Sequence, residues 1–376
     1  MKKKICLITT NRADYGLQKN LISILRSSKK IDFKIIATGA HLEKKFGYSI
    51  NEILEDKNKV NFKFREVPKK DNSLSTLLSM SGSLKKFSII LNKAKPDTVV
   101  ILGDRYEMLS AAIACMIQNF TIAHLYGGEV TEGSFDNEIR NAISKLASLH
   151  FVSHHSHKSR LINMGENPKN IFDVGGLGAE NIRSMTLHSK KILEKKFNIN
   201  LEKKNILVAF HPVTKEPSKT TKYFMALVSA TKKFRDINFI FSYPNPDPEN
   251  NQIIEILKKE KINKNFYIIK SFGQKYFFSL LNNINGIIGN SSSGILEAPS
   301  FKIGTLNIGK RQEGRIQSKS IINCLPETKA IELGIKKILS NSFSKKLKKV
   351  KNIYYKKNTA MQIARVLINS PKKTNQ

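Results

Sequence analysis

Residues 98–107 read TVVILGDRYE, a short apolar run that ends in a glycine and then in charged side chains. The five residues 98–102 have the length and the β-branched content of a buried parallel strand. The residues after the glycine are compatible with a helix. A buried strand followed by a helix is the repeating unit of an α/β sheet.

The same pattern recurs in both halves of the chain. The predicted strands of the first half are 5–10, 33–37, 98–102, 121–124 and 150–152, and those of the second half, after the lysine-rich stretch 190–204, are 206–210, 238–242, 266–269, 286–289 and 303–306. A chain of 376 residues also exceeds the usual size of one hydrophobic core. We therefore predict an α/β protein with two doubly wound, Rossmann-like domains that face a cleft.

The crossing between the two domains is predicted at the glycine-rich stretch Gly175-Gly176-Leu177-Gly178. Its glycines are spaced wrongly for a dinucleotide-binding fingerprint, so a hinge or a tight turn is the simpler interpretation. The N-terminal domain is predicted over residues 1–174 and the C-terminal domain over 175–355. A terminal helix with a short, frayed tail is predicted over 356–376.

The chain is strongly basic, with 64 Lys and Arg against 30 Asp and Glu and a formal charge of +34. This charge alone suggests a nucleic acid, an anionic lipid or an anionic substrate. The lysines are scattered doublets such as Lys44-Lys45, without a zinc, helix-turn-helix or stacking motif. We interpret the charge as compositional bias that helps an anionic nucleotide to approach, and expect no nucleic-acid partner. A basic polyanion-binding protein is the remote alternative.

The apolar runs and the cysteines indicate the compartment. No run is long enough to span a bilayer, and the apolar run 5–10 is too short for the core of a signal peptide. Cys6, Cys115 and Cys324 lie far apart in apolar runs, as buried free thiols do in a reducing compartment. We therefore expect a cytoplasmic protein without a membrane partner.

Charged side chains follow the predicted strands of the first half. In doubly wound sheets, ligands bind beyond the carboxyl ends of the strands. Asp104 and Glu129 follow two such strands, and Asp136 and Arg140 lie one turn apart if a helix begins near residue 136. Carboxylates that converge have pKa values that differ, so that one can act as base and another as acid. For Asp104, capping of the next helix is the alternative role.

Two further strand ends carry basic side chains. Arg12 follows the first strand and could hold a phosphate at the start of the next helix; an Asn or Asp helix cap beside a solvated arginine is the alternative. His211 ends another strand, where it could donate to a diphosphate or a sugar hydroxyl; a lone histidine there is usually structural. The cluster His154, His155 and His157 is predicted on the solvated face of a helix, so that we expect no metal site.

The sharpest motif is GNSSSGILEAPS at residues 289–300, a strand end followed by a serine-rich turn and a short helix. Backbone N–H groups and hydroxyls at such a turn suit a diphosphate. Glu297 is predicted one turn into the helix, where it could bind a ribose diol or simply be a favourable first-turn acid. Arg311 lies on a basic loop, 309–315, that either lies against the diphosphate or is exposed.

Taken together, the motifs resemble the hydrolysing UDP-N-acetylglucosamine 2-epimerase family. They occur in the family's order between residues 5 and 316, and they are NRADYG at 11–16, GDRYE at 103–107, GGE at 127–129, HP at 211–212 and the motif at 289–300. The resemblance implies a glycosyltransferase-B arrangement with UDP mostly on the second domain, and a terminal helix that packs back on the first domain. It also implies a homo-oligomer that uses neither a metal nor a cofactor.

The resemblance also implies a role for each residue. The implied catalytic residues are Asp104, Glu129, Asp136 and His211. The implied substrate-binding residues are Arg12, Arg140, Asn290, Ser291, Ser292, Ser293, Gly294, Glu297 and Arg311. Many relatives have a histidine directly after the residue that matches Arg140, where this chain has Asn141, and this departure puts a proton relay by that histidine in doubt.

The implied reaction eliminates UDP from a UDP-linked 2-acetamido sugar and hydrates the resulting glycal, which inverts C2. The substrate is UDP-N-acetylglucosamine or a nucleotide-linked N,N'-diacetylbacillosamine, since Thr131-Glu132-Gly133 resembles the branch that uses the second sugar about as well. These two substrates place the enzyme in sialic acid or legionaminic acid synthesis. A UDP-sugar glycosyltransferase of the same fold is the alternative function.

Overall fold

A computed structural model describes residues 2–70, 72–216, 218–245 and 247–371. The chain divides into two compact units: unit 1 holds the described residues of 1–129, 136–181 and 354–376, and unit 2 holds those of 130–135 and 182–353. Each unit is built on one parallel sheet with helices between the strands. This confirms the predicted α/β class with two doubly wound domains.

Unit 1 has a seven-stranded sheet in the order β3-β2-β1-β4-β5-β6-β7. Its strands are β1 (Lys3–Thr9), β2 (Ile31–Ala37), β3 (Phe62–Lys63), β4 (Thr98–Leu102), β5 (Thr121–Leu125), β6 (Leu149–Val152) and β7 (Ile171–Asp173). The helices are α1 (Arg12–Ser27), α2 (Ile50–Glu55), α3 (Ser73–Ala94), α4 (Tyr106–Ile117), α5 (Asp136–Leu146), α6 (His155–Asn163) and α7 (Leu177–Ser184), the last of which continues past residue 181. The strand order reverses between β1 and β4, which is where ligands bind in such sheets.

Unit 2 has a six-stranded sheet in the order β10-β9-β8-β11-β12-β13, which reverses between β8 and β11. The strands are β8 (Lys204–Ala209), β9 (Ile237–Ser242), β10 (Phe266–Ile269), β11 (Gly286–Gly289), β12 (Gly304–Ile308) and β13 (Ile321–Cys324). The helices are α8 (Lys190–Phe197), α9 (Thr220–Thr231), α10 (Asn250–Glu260), α11 (Gln274–Leu281), α12 (Ser293–Leu296), α13 (Thr328–Ile338) and α14 (Asn341–Leu347).

The last helix, α15 (Thr359–Asn369), belongs to unit 1, where it packs against α1. Its apolar residues join the core on one face of the sheet together with Ile5 and Leu7 of β1. Cys6 and Ile8, the alternate residues of β1, lie in the core on the other face. Both faces of the sheet are therefore covered, which explains why its central strands are continuous apolar runs. Residues 372–376, most of the predicted frayed tail, lie outside the described residues.

Burial keeps the cysteine thiols protonated. Cys6 and Cys115 are buried and Cys324 is half-buried, so that the prediction of buried free thiols is confirmed for the first two and only partly for the third. Burial raises the pKa of Cys6 to about 12. In the part of the chain that the structure describes, no helix is long and apolar enough to cross a membrane.

Candidate active site

In unit 1, the candidate site begins at the end of β4. Gly103 has a φ of +75° and turns the chain so that Asp104 follows the strand directly. Arg105, not Asp104, is the N-cap of α4, and the Arg105 side chain makes no capping hydrogen bond. The alternative capping role of Asp104 is therefore wrong. Its carboxylate instead accepts a hydrogen bond from the guanidinium of Arg140.

Arg140 connects the loops after β4 and β5. It lies on α5 with only 1% of its surface exposed, and besides binding Asp104 it donates a 2.9 Å hydrogen bond to the carbonyl oxygen of Glu129. Asp136 is the first residue of α5 and is half-buried, one turn before Arg140. The predicted helix start near residue 136 is confirmed. One buried arginine thus holds the segments that carry Asp104 and Glu129 together.

The Glu129 side chain is itself buried, at 2% exposure. The loop that carries it turns at Gly128, which has a φ of +75° and lies so close to α6 that a Cβ atom would be 2.5 Å from the carbonyl oxygen of His157. Only glycine fits there, because both the space and the backbone conformation exclude a side chain. The hydroxyl of Ser153 donates a 2.6 Å hydrogen bond to Oε1 of Glu129.

The histidine cluster differs from its predicted solvated face. His155 is exposed, but His157 is only 3% exposed and its Nδ1 lies 3.1 Å from the Ser153 hydroxyl. The helical periodicity of this short, polar segment gave no apolar stripe, so the inward position of His157 could not be read from it. Among the described residues, no group of His, Cys, Asp and Glu side chains could hold a metal ion.

The helix cap that was considered for the end of β1 is present, beside an arginine that is only half-exposed. Asn11 caps α1, accepting hydrogen bonds from the N–H groups of Ala13 (2.8 Å) and Asp14 (3.0 Å), and Arg12 opens the helix half-buried. Asp14, to which no role was assigned from the sequence, is buried and accepts hydrogen bonds from the N–H and the hydroxyl of Thr10. Burial raises the pKa of Asp14, which the Thr10 hydrogen bond and Arg105 partly oppose.

In unit 2, the candidate site is built on the ends of β8 and β11. Asn290, directly after β11, is completely buried, and its side-chain amide forms two hydrogen bonds with the backbone of His211. Its Oδ1 accepts from the His211 N–H at 2.7 Å and its Nδ2 donates to the His211 carbonyl at 2.9 Å. Since His211 occupies the amide, we propose that Asn290 supports the site instead of contacting the substrate as first expected.

The segment that follows β9 determines which His211 nitrogen carries a proton. The backbone N–H of Asn245 donates to Nδ1 of His211 at 3.1 Å. A nitrogen that accepts a hydrogen bond has no proton, so the neutral ring carries its proton on Nε2. His211 is 8% exposed, and it is therefore a buried side chain with Nε2–H as its donor.

The serine-rich turn leads into α12, a helix of four residues. Ser291, Ser292 and Ser293 are half-buried, and the carbonyl of buried Gly294 accepts a 2.7 Å hydrogen bond from the hydroxyl of Thr305. Glu297 lies at the C-terminal end of α12 and is 6% exposed. The alternative role as a first-turn acid of α12 is wrong, because Glu297 is the C-cap of that helix and precedes the 3-10 turn Ala298–Phe301.

Arg311 lies beside the end of β11 and is only 7% exposed, so the alternative of an exposed loop cation is wrong. Its guanidinium donates to the carbonyl of Asn290 at 3.3 Å, and Gln312 donates to the same oxygen at 3.0 Å. The short segment 130–135, which follows Glu129 in the chain, belongs to unit 2. This segment contacts the loop 309–315, where the Glu132 N–H donates to the carbonyl of Glu313 at 3.0 Å.

The chain is similar to several known proteins. The family model described as UDP-N-acetylglucosamine 2-epimerase matches residues 23–368. A GDP/UDP-N,N'-diacetylbacillosamine 2-epimerase (hydrolyzing) of Campylobacter jejuni is 38% identical over 345 residues, which cover 91% of this chain and 89% of that protein. A polysialic acid biosynthesis protein of Escherichia coli is 34% identical over 381 residues, with coverage of 100% of this chain and 96% of that protein.

The fold agrees as well. The solved structure of the UDP-GlcNAc 2-epimerase from Neisseria meningitidis bound to UDP-GlcNAc superposes with a TM-score of 0.81 at 18% identity, covering 98% of this chain and 100% of that chain. The resemblance inferred from the motifs is confirmed by the family model and by the relatives. The chain belongs to the UDP-N-acetylglucosamine 2-epimerase family.

Proposed function

We propose that this protein is a hydrolysing 2-epimerase of a UDP-linked 2-acetamido sugar. The observation that carries the proposal is the buried Arg140, which binds the carboxylate of Asp104 and the backbone of Glu129 at two neighbouring strand ends. The names of the relatives support the same activity, since the Campylobacter protein is a hydrolysing 2-epimerase.

The proposed reaction has two steps. In the first, a carboxylate takes the proton from C2, the C2–H electron pair forms a C1=C2 double bond, and the C1–O bond breaks with its electron pair on UDP. In the second, water adds its oxygen to C1 of the 2-acetamidoglucal, and a proton adds to C2 from the opposite face. Asp104, Glu129 and Asp136 are the carboxylates proposed to move these protons. The products are UDP and the C2-epimeric sugar.

The leaving diphosphate needs charge stabilisation more than it needs a proton. In unit 2, the Nε2–H of His211, the guanidinium of Arg311 and the hydroxyls of Ser291–Ser293 are the donors proposed for it. Glu297, which is buried at the end of α12, is the proposed partner of the ribose diol. Arg12 and Arg140 are proposed to contact the sugar or the diphosphate.

A UDP-sugar glycosyltransferase of the same fold would need the same UDP residues but an acceptor in place of water. It would have no use for a set of carboxylates that removes a proton from carbon. The buried Asp104–Arg140–Glu129 arrangement therefore favours elimination over transfer. The sugar is proposed to be N-acetylglucosamine or N,N'-diacetylbacillosamine.

The test is proton and phosphorus NMR of the enzyme in deuterated water, with UDP-N-acetylglucosamine and UDP-N,N'-diacetylbacillosamine in separate tubes. We expect free UDP and a C2-epimeric sugar with deuterium at C2 in one tube, which also identifies the substrate. We expect Asp104→Asn and Glu129→Gln to slow turnover by orders of magnitude while UDP binding changes little. A released sugar without deuterium at C2, or transfer of the sugar to an added acceptor, would contradict the elimination.

We also propose that the protein is a cytoplasmic homo-oligomer. Leu74, Leu77 and Leu78 near the start of α3 are each at least 60% exposed, an apolar surface that a second copy of the chain would cover. The reduced thiols and the nucleotide-sugar substrate both suit the cytoplasm. Sedimentation analysis tests the first point: we expect a dimer or larger, and Leu77→Glu should shift it towards the monomer.

A further inference from the structure

A buried chain of hydrogen bonds lies behind Glu129 in unit 1. Ser153, the first residue after β6, is 1% exposed, and its hydroxyl donates to Oε1 of Glu129 at 2.6 Å. The same hydroxyl oxygen lies 3.1 Å from Nδ1 of His157, in the first turn of α6. The three side chains are almost completely excluded from solvent.

The direction of this chain follows from the number of protons. A serine hydroxyl has one hydrogen, and here it is donated to Glu129. The hydroxyl oxygen can therefore only accept from His157, whose Nδ1 must carry a proton. Both donors point towards the carboxylate. Hydrogen bonds to the charged form of a carboxyl group favour that form, and bonds in series strengthen one another.

We propose that Ser153 and His157 are positioning residues that hold Glu129 as a carboxylate, which makes Glu129 the group that accepts the C2 proton. The proposal rests on the 2-epimerase function above and names Glu129 as the base of its first step. The proton passes from C2 to Glu129 as the C–H electron pair forms the double bond and UDP leaves. Asp104 is different, because Arg140 neutralises its charge directly.

Aromatic rings lie against His157. Its ring stacks on Tyr354 with centroids 6.2 Å apart, and the ring of His154 lies 5.8 Å away. Burial and the neighbouring His155 lower the pKa of His154, which favours its neutral form. On the remaining side, the backbone of Gly128 is packed against the carbonyl of His157. Tyr354, His154 and, through Ser153, Glu129 are titratable groups that lie beside His157.

The first test compares pH profiles of kcat. Ser153→Ala and His157→Phe each break the hydrogen-bond chain. We expect the acidic limb of the kcat profile to move up by about one pH unit, so that kcat falls about tenfold at pH values on that limb. UDP affinity should remain within about twofold of the wild type. His157→Asn, which offers an amide N–H near the position of Nδ1, should bring the limb back, as should Ser153→Thr. His155→Gln, exposed on the same helix, is the matched control and should match the wild type.

A purely structural role would give a different result. The variants would then lose thermal stability and UDP affinity, but the acidic limb would stay in place, and this outcome would overturn the proposal. If Ser153→Ala or Ser153→Thr does not fold, the pair His157→Phe and His157→Asn still decides between the two.

The second test does not depend on turnover. Long-range ¹H–¹⁵N spectra of histidine-labelled protein, assigned with His157→Asn, should show His157 with its proton on Nδ1. A proton on Nε2 of His157 in an active enzyme would overturn the proposed hydrogen-bond chain but not the proposed function. A wild-type protein that releases no UDP from either sugar would overturn the proposed function and, with it, the role of Glu129 as base.

Discussion

The guanidinium of Arg140 and the carboxylate of Asp104 form a hydrogen-bonded ion pair in which the arginine is 1% exposed and the aspartate side chain is 26% exposed. The residues are 36 positions apart, on α5 and after β4. A buried arginine that pairs with a partly accessible carboxylate can hold that carboxylate in place without hiding it. Loss of the arginine would leave an unpaired charge close to a buried glutamate.

We therefore expect Arg140→Met to lower kcat at least 100-fold and the free energy of unfolding by about 3 kcal/mol, the usual cost of removing one partner of a buried pair. Arg140→Lys keeps the charge but loses the two-pronged contact, and should recover only part of either quantity. Urea denaturation and steady-state kinetics measure the two effects. Arg235→Met, at an exposed position, is the control. Wild-type kcat in Arg140→Met would remove this arginine from the site.

On the nucleotide side, Ser291→Ala combined with Glu297→Ala should weaken UDP binding about tenfold or more, because each substitution removes a proposed hydrogen bond to UDP. The value of kcat at saturating substrate should change little. Isothermal titration with UDP measures the affinity, and Glu255→Ala, with an exposed side chain, is the control. Unchanged UDP affinity would place the nucleotide elsewhere.

Gly289, the last residue of β11, has no room for a side chain. A Cβ atom there would lie 2.0 Å from the carbonyl oxygen of Ala209, and its φ of +132° excludes other residues in any case. We expect Gly289→Ala to destabilise unit 2 strongly and to displace Asn290 and His211. Gly309→Ala is the matched control, since Gly309 also has a positive φ but only Pro326 atoms at 3.9 Å or more. It should cost about 1 kcal/mol. Equal thermal shifts in the two variants would contradict this explanation.

Unit 1 should lose stability in mild acid. Burial lowers the pKa of His41 to about 3 and that of His124 to about 4, against an unfolded value of about 6.5. Between pH 6.5 and 4 the unfolded chain therefore binds protons that the folded chain does not, and each histidine removes about 1.4 kcal/mol of stability per unit of falling pH. His150 adds to this effect, whereas the raised pKa values of Asp14 and Glu52 oppose it.

Urea denaturation at pH 7.5, 6 and 5 measures this dependence. We expect stability to be nearly constant above pH 7 and to fall below pH 6.5. His124→Gln should fall less steeply with pH than the wild type, whatever its stability at pH 7.5. The same slope in both proteins would show that His124 is not the group responsible.

The strand ends illustrate how far the sequence could be interpreted. The predicted central strands are all present, with ends that differ by a few residues, whereas β3, β7 and β13 were not predicted. These three are short strands at or near the sheet edges, and β3 and β13 are only partly buried. Edge strands have one open side, so their sequences need not be continuously apolar. Ser153 could have been found by the rule that led to Asp104, because it directly follows a predicted strand.

The sequence by itself determined the α/β class, the motifs at the strand ends and the family, because buried strands, turns and phosphate-binding loops depend on residues close together in the chain. The tertiary structure alone decided what these residues bind. Asn290 pairs with the backbone of His211, 79 positions away, and Ser153 connects Glu129 to His157. Such partners depend on strand register and on close packing at single glycines. Hydrogen bonds act only over about 3 Å, and no local pattern specifies distances that small between distant segments.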